Sequence, residues 1–486
     1  MKVALLTLGC DKNTVDSERY LAELVAHGAT PTRDVSEAEV ILVNTCGFID
    51  AAKQESIDAI VQAGQLKTHG ACQALVAVGC MVQRHKDELA AALPEVDLFL
   101  GASEMDRLIP ELAARGVVAP DPLVAHPGVR TFGSRHFGGD LPSVRYLKVS
   151  EGCDHGCAFC AIPLMRGRHR SFAVADVVRE AQLLELQGAR EINLVAQDLA
   201  HYGRDRQDGV RLPDLLEALL RETSVPWYRN LYLYSAGITP RLLEVIAANP
   251  RVVRYLDMPV QHASDPVLAR MRRPERERTI REKVVRFRDA VPGVAIRTTC
   301  IVGFPGETED DFRRLLDFVE EVRFDRVGAF TYSPQEGTRA YDLPDDVPDV
   351  TKRERLERLL EVQRAITAER YEERVGEITT VLVDQAARRG AAARCRAPWQ
   401  ADDVDGVTWV RTDAPAGSFV EVCVDEVVDD YDFEATAVRV VDAARPPVRA
   451  RRSRALPVAA AGVSAAAGGA AVLTPTAPST VGSFGR

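Results

Sequence analysis

Three cysteines fall within eight residues, at Cys153, Cys157 and Cys160, in the spacing C-x3-C-x2-C directly after the apolar run 144–149. A loop that short brings three thiolates to one point, which is a metal-binding arrangement. Three thiolates can hold three irons of a four-iron cluster and leave the fourth iron open to a ligand from outside the protein. The competing reading is zinc, whose usual C-x2-C signature needs a second ligand pair downstream. His155 lies inside the loop and His169 follows an arginine-rich turn, so neither completes a familiar zinc spacing.

The amino-terminal part of the chain raises a second cysteine question. Short apolar runs at 3–8, 40–43, 75–78 and 97–100 alternate with helix-like stretches at 15–27, 50–66 and 83–93. Strands alternating with helices predict a parallel sheet covered on both faces. Three of those strands run into a cysteine: Cys10, Cys46 and Cys80. Ligands in open α/β sheets bind beyond the carboxyl ends of the strands, so these thiols are expected to converge. The alternative is three unrelated buried thiols, because free cysteine packs as a small hydrophobe. Cys72 precedes its strand and belongs at the other end of the sheet.

Residues 116–138 are rich in Pro and Gly and read as a linker. A second alternating series follows over 139–372, with apolar runs at 144–149, 192–196, 231–234, 255–260, 296–302 and 327–332. Helix-like stretches at 174–187, 213–222, 240–248, 265–290, 309–322 and 351–372 follow them. Eight such units close a barrel; six predict an open, partial (β/α)6 barrel with the cysteine loop after its first strand. Residues 373–443 hold short β-type runs at 379–383, 408–411, 419–424 and 435–441, which predict a small all-β domain. Residues 444–486 are low in complexity, carry six Arg and no acid, and are expected to be disordered. The expected fold class is therefore α/β: a doubly wound parallel sheet over 1–115, the partial barrel, a β domain and a tail. Cys300, mid-strand, is expected in the core, and Cys395 and Cys423 are expected to be structural.

Composition bounds the partners. The net charge of −10 argues against a bulk nucleic-acid binder, which needs a basic footprint. No apolar run approaches the roughly 20 residues of a membrane span. The first strand's apolar run, about six residues, is shorter than the roughly 7–15 of an export signal. A reducing cytoplasm with thiols available for metal is the expected setting.

The C-x3-C-x2-C motif, with Phe159 before its last cysteine, resembles the radical S-adenosylmethionine superfamily. The resemblance sharpens at Leu8-Gly-Cys-Asp-Lys-Asn-Thr-Val-Asp-Ser-Glu18, Asn44-Thr-Cys-Gly-Phe-Ile49 and Val78-Gly-Cys-Met-Val-Gln83, which look like the amino-terminal domain of the methylthiotransferases. Asp11 departs from that pattern, where proline is expected. The resemblance covers residues 1 to about 443. It implies two [4Fe-4S] clusters, one on Cys10, Cys46 and Cys80 and one on Cys153, Cys157 and Cys160. The second cluster would bind S-adenosyl-L-methionine at its open iron and cleave it to a 5'-deoxyadenosyl radical. Carried over by position, the cofactor contacts are Phe159, Gln197 and Asp198 after the second strand, Gln261 and His262 after the fourth, Arg297 on the fifth, and Gly303 at its end. Arg297 is assigned to the cofactor's carboxylate, since Arg suits bidentate recognition. The run Gly303-Phe-Pro-Gly-Glu-Thr308 reads equally as an adenine contact and as a plain turn into a helix capped near Thr308.

Within the methylthiotransferases, Glu151-Gly-Cys-Asp-His-Gly-Cys157, Met258-Pro-Val-Gln-His-Ala-Ser264 and Glu336-Gly-Thr-Arg-Ala-Tyr341 resemble the branch that modifies an aspartate β-carbon in small-subunit ribosomal protein S-twelve. The other branch modifies tRNA adenosine by the same chemistry. Residues 373–443 resemble the TRAM module, often an RNA binder. Between Arg374 and Ala443, however, there are seven Arg, no Lys and fourteen acids, a net charge of −7. An acidic face suits a basic protein partner, so the ribosomal protein, free or in the small subunit, is the expected substrate and nucleic acid is not. The resemblance also implies a sulfur donor and an electron donor such as flavodoxin or ferredoxin.

Overall fold

A computed structural model describes residues 1–118, 135–136, 143–388, 390–402, 404–444 and 472–473. The chain divides into two compact units. One comprises residues 1–141, 162–167 and 451–486, the other residues 142–161 and 168–450.

The first unit is built on β1 (Lys2–Thr7), α1 (Asp11–Ala26), β2 (Thr30–Pro31), β3 (Val40–Thr45), α2 (Asp50–His69), β4 (Ala74–Gly79), α3 (Cys80–Ala92), β5 (Leu98–Gly101) and α4 (Leu108–Ala114), with the short α5 (Ile162–Arg166) joining from later in the chain. The sheet is parallel, with β1, β3, β4 and β5 side by side and β2 on the free side of β1. Every residue of β3 and β4 is buried, as expected of a sheet covered on both faces. Leu21, Leu24, Leu42, Val76 and Leu112 close one layer; Ile41, Val43, Ile60, Leu75 and Leu89 close the other.

The register aligns Thr7 with Asn44 and Asn44 with Val78. The carboxyl ends of β1, β3 and β4 therefore reach one edge together. Most of the tail expected to be disordered lies outside the described residues, as does most of the expected linker. Within the tail, Val472–Leu473 pairs in parallel with Leu5 and Leu6 of β1.

The second unit carries β6 (Val144–Lys148), the small pair β7 (Ser150–Glu151) and β8 (Arg170–Ser171), then α6 (Val174–Leu186), β9 (Glu191–Val195), α7 (Leu212–Glu222), β10 (Trp227–Asn230), α8 (Pro240–Ala248), β11 (Val252–Asp257), α9 (Asp265–Arg270), α10 (Glu277–Ala290), β12 (Ala295–Val302), α11 (Glu309–Val322), β13 (Arg326–Thr331) and α12 (Asp349–Glu372). The six long strands form one open parallel sheet in the order β6-β9-β10-β11-β12-β13, the order a partial barrel requires.

In this part of the unit, three elements differ from the sequence expectation. The third strand is Trp227–Asn230, not 231–234, and the fourth is Val252–Asp257, not 255–260. The third was missed because Arg229 and Asn230 read as polar, yet both are fully buried. Tyr232 adopts φ +60°, which no strand residue holds. The helix expected over 265–290 breaks at Arg272, also at positive φ, and becomes α9 and α10.

After α12 the chain forms a closed barrel of β14 (Ile378–Gln385), β15 (Ala393–Arg396), β16 (Thr408–Val410), β17 (Phe419–Val428) and β18 (Asp432–Asp442). β15 escaped the sequence reading because two of its four residues are arginines. Buried charges seat the barrel on the sheet. Glu191 of β9 accepts from Arg229 of β10 and Arg396 of β15, each at 2.7 Å, with all three side chains at 0% exposure. Arg396 also pairs with Asp384 at 2.7 Å. Asp405 accepts from the Tyr255 hydroxyl and lies 3.8 Å from Arg297 and 3.5 Å from Arg326. Closing β-strands into a barrel removes the free edges of a short sheet, and these ion pairs fix where that barrel sits.

Candidate iron–sulfur and cofactor sites

In the first unit, Cys10 is the N-cap of α1, and Cys80 is the first residue of α3, directly after β4. A helix amino terminus presents unpaired backbone N–H groups, so both positions suit a ligand to a cofactor that carries negative charge. Cys46 follows β3, its amide donating to Ser56 Oγ at 3.0 Å. Glycines flank the set at two places where a side chain would collide. A Cβ on Gly9 would sit 2.8 Å from Cys46 Cβ and 2.9 Å from its Sγ, and one on Gly47 would sit 2.8 Å from Met81 Cα, beside Cys80.

Asn13 ties the loops together, donating to Leu8 O at 2.7 Å and Thr45 O at 3.2 Å. Asn44 donates back to Asn13 O and Ser17 Oγ, each at 2.9 Å. Burial pushes the Cys46 thiol up to about 12, with Cys10 and Cys80 adding to the shift. Burial also raises Cys80, against the opposing pull of the Arg166 guanidinium. All three are free of disulfides. A donor set of three thiols at one sheet edge, with no carboxylate among them, fits iron–sulfur chemistry. Cys72 is buried ahead of β4 and stands apart from this set.

In the second unit, Cys153, Cys157 and Cys160 occupy the loop after β7. Its course is fixed by backbone bonds: Ala158 N donates to Met271 O at 2.9 Å, and Ala340 N to Ala158 O at 2.8 Å. Phe159 packs against the apolar group of Ala158, Val267, Met271, Phe304 and Tyr332. Cys153 is buried, and burial pushes its thiol up to about 11. Arg273, itself buried, lies with Nη1 3.7 Å from Cys157 Sγ and with its guanidinium 4.0 Å from the Tyr234 ring centroid. His155 stacks on Tyr234 at 4.0 Å and bonds Asp198 through Nε2 at 2.7 Å. Asp198 Oδ1 accepts from Tyr234 N at 3.2 Å.

The remaining expected contacts divide. Gln197 donates to Glu151 at 2.9 Å. The side-chain oxygens of Gln197 and Gln261 are buried without a hydrogen-bond partner among the described residues, an arrangement that costs free energy unless a ligand donor fills it. Gln261 holds φ +73° and bridges to Cys300 by backbone pairing; such strain concentrates at ligand sites. His262 is fully buried, its Nδ1 accepting from the Ser264 amide.

Arg297 is engaged within the protein. It donates to Asp257 at 3.1 Å and faces Asp405, so two carboxylates of the protein already hold its guanidinium. Gly303, at φ +71°, is required by packing: a Cβ there would lie 2.3 Å from Lys352 Cγ. Thr308 caps α11 with a full capping box to Asp311, which is the plain-turn reading of that segment. Sequence reasoning missed Arg273, whose only signal was an arginine in a stretch assigned to a continuous helix.

Residues 2–101 match the Uncharacterized protein family UPF0004, residues 147–319 the Radical SAM superfamily, and residues 375–438 the TRAM domain. Among solved structures, the radical S-adenosylmethionine methyltransferase TsrM from Kitasatospora setae superposes with a TM-score of 0.53 at 12% identity, covering 78% of this chain and 76% of that one. That likeness is one of fold. The open six-stranded sheet, the cysteine loop after its first strand and the superfamily match define a radical S-adenosylmethionine enzyme, a class that uses S-adenosylmethionine and a [4Fe-4S] cluster.

Relatives refine the class. The ribosomal protein uS12 methylthiotransferase RimO of Anaeromyxobacter sp. (strain Fw109-5) is 45% identical over 97% of this chain and 99% of its own length. The RimO proteins of Myxococcus xanthus (strain DK1622) and Geobacter sulfurreducens are 42% and 41% identical, covering 94% and 89% of this chain and 96% and 97% of their own lengths. The chain belongs to the RimO methylthiotransferase family. No helix among the described residues is long and apolar enough to cross a membrane.

Proposed function

We propose that this chain attaches a methylthio group to the β-carbon of an aspartate in ribosomal protein uS12, acting in the cytoplasm with two [4Fe-4S] clusters and S-adenosylmethionine. The observation that carries the reading is the pair of cysteine trios, one for each unit, in a chain that matches RimO proteins over nearly its whole length. Cys10, Cys46 and Cys80 hold one cluster; Cys153, Cys157 and Cys160 hold the other. When bound, the first cluster would hold or deliver sulfur, and the second would pass the electron that activates S-adenosylmethionine for hydrogen abstraction at an unactivated C–H bond.

The chain's own residues bind and orient. The buried oxygens of Gln197 and Gln261 accept from the cofactor's amino and hydroxyl groups. The Asp198–His155 pair, fixed by Tyr234, holds one wall of the site beside the cysteine loop, and Phe159 packs its floor against apolar side chains. A sulfur donor and an electron donor such as flavodoxin or ferredoxin complete the system.

The acidic barrel supports a basic protein substrate over RNA. Asp425, Glu426, Asp429, Asp430 and Glu434 are all exposed on or between β17 and β18. Phosphate backbones need cations at the contact, whereas a ribosomal protein brings the cations itself.

The test offers reconstituted enzyme, under anaerobic conditions with reductant, sulfide and S-adenosylmethionine, both uS12 and unmodified tRNA, read by mass spectrometry. The expected result is a methylthio mass gain on one aspartate of uS12 and none on tRNA. A gain on tRNA alone overturns the substrate assignment.

A further inference from the structure

Within the first unit one arginine addresses a cysteine sulfur directly. Arg166, on α5, points Nε at Cys80 Sγ from 3.1 Å, Nη1 at Asp16 Oδ2 from 2.6 Å and Nη2 at Asn13 Oδ1 from 2.5 Å. Its side chain is 4% exposed and that of Asp16 is 7%. The segment that carries it, Ile162–Gly167, packs with residues 1–141 although it follows Cys160 in the sequence. Three acceptors of different kinds meet three edges of one planar guanidinium, an arrangement a lysine ammonium cannot reproduce. Asn13 is held on its other side by the Leu8 and Thr45 carbonyls, so the fork has no slack toward Cys80. None of this is needed to fold a sheet edge; burying an arginine there costs solvation that only its partners offset.

We propose that Arg166 is a positioning residue for the cluster on Cys10, Cys46 and Cys80, donating an N–H···S bond to Cys80 that raises that cluster's reduction potential, with Asp16 aiming the guanidinium and partly offsetting its charge. The proposal rests on the reading of those three cysteines as cluster ligands. Hydrogen bonds to cluster sulfurs are one of the protein's levers on potential. A reduced cluster carries one more negative charge than an oxidised one, so a nearby cation donor favours reduction. Asp16, negative and within the same network, works in the opposite direction.

The two side chains therefore predict opposite shifts, which a merely structural role does not. The test uses the full chain with Cys153, Cys157 and Cys160 all changed to Ala, so that one cluster is observed. After anaerobic reconstitution, iron and sulfide are counted and the potential is read by dithionite titration with electron paramagnetic resonance. Arg166→Met is expected to lower the reduced-to-oxidised ratio at fixed potential about tenfold, equivalent to about 59 mV for a one-electron couple. Asp16→Asn is expected to raise that ratio, and Arg166→Lys to fall between Arg166→Met and the parent. If the parent binds no iron, the ligand assignment fails before the inference is reached. If the cluster assembles and the ratios in Arg166→Met and Asp16→Asn stay within twofold of the parent, or move in the same direction, the inference is overturned. If Arg166→Met takes up no iron, Asp16→Asn decides: a raised ratio upholds the proposal, and an unmoved or lowered one refutes it.

Discussion

Glu191→Gln tests how the carboxy-terminal barrel is held on the six-stranded sheet. The wild-type carboxylate accepts from Arg229 and Arg396, both at 2.7 Å and both fully buried. The amide keeps the shape and one acceptor but leaves two buried guanidiniums without their shared anion. Arg396 retains Asp384 and the Gln400 carbonyl. Arg229 is left with the Pro398 carbonyl at 2.7 Å and the face of Tyr255 at 4.8 Å. Removing one partner of a buried pair costs about 3–5 kcal/mol; the surviving amide oxygen and the Arg396–Asp384 pair place this change near the lower end, about 3 kcal/mol.

For a unit of this size, each kcal/mol moves the midpoint by about 2–4 °C, so melting should begin roughly 6–12 °C lower. Differential scanning calorimetry on the iron-free full chain at neutral pH reads the shift. Its pH dependence has a definite sign. Burial works to raise the Glu191 pKa, but Arg229 and Arg396 outweigh it and hold the carboxyl below its usual range. A depressed carboxyl stabilises above its unfolded value of about 4.3 and loses that contribution as pH falls through the folded value. The gap between wild type and variant should therefore be full at pH 6–7 and narrow only in acid. A midpoint within about 1 °C of wild type at neutral pH would refute the argument that these charges seat the barrel.

Three other perturbations separate the sites. Cys46→Ala and Cys153→Ala are each expected to remove about half of the reconstituted iron, read by iron and sulfide analysis; loss of all iron from either would mean the two trios do not load independently. Gly9→Ala, at φ +92° with Cys46 Sγ 2.9 Å from the new methyl carbon, should impair iron uptake at the first trio while the second still loads, visible as a partial loss in the same analysis. Arg297→Gln should lower the melting midpoint, because Asp405 is fully buried beside it, yet leave S-adenosylmethionine affinity within about twofold by calorimetry. A tenfold loss of affinity, about 1.4 kcal/mol, would place Arg297 in the cofactor site.

Local pattern carried much of this protein. The α/β alternation, the three strand-end cysteines and the C-x3-C-x2-C loop are legible because strand burial has a short period and metal ligation needs particular side chains at particular spacings. With the strands parallel and in register, the convergence of Cys10, Cys46 and Cys80 at one sheet edge followed from their positions at the ends of β1, β3 and β4.

What only the tertiary structure decided involves charges and glycines whose reason lies far along the chain. Arg229 lay outside the expected strands, and only the fold brings Glu191 and Arg396 to it in the interior; Gly303 read equally as a ligand contact and as part of a plain turn, and only the fold puts Lys352 of α12 in the space beside it. Arg297 looked free to bind a carboxylate, and Asp257 and Asp405 supply two. Arg166 gave no sign in the sequence of addressing Cys80, 86 positions earlier. A pattern of apolar residues reports which way a strand faces, but a buried ion pair or a close approach depends on two distant segments meeting, and nothing local in either segment encodes its partner.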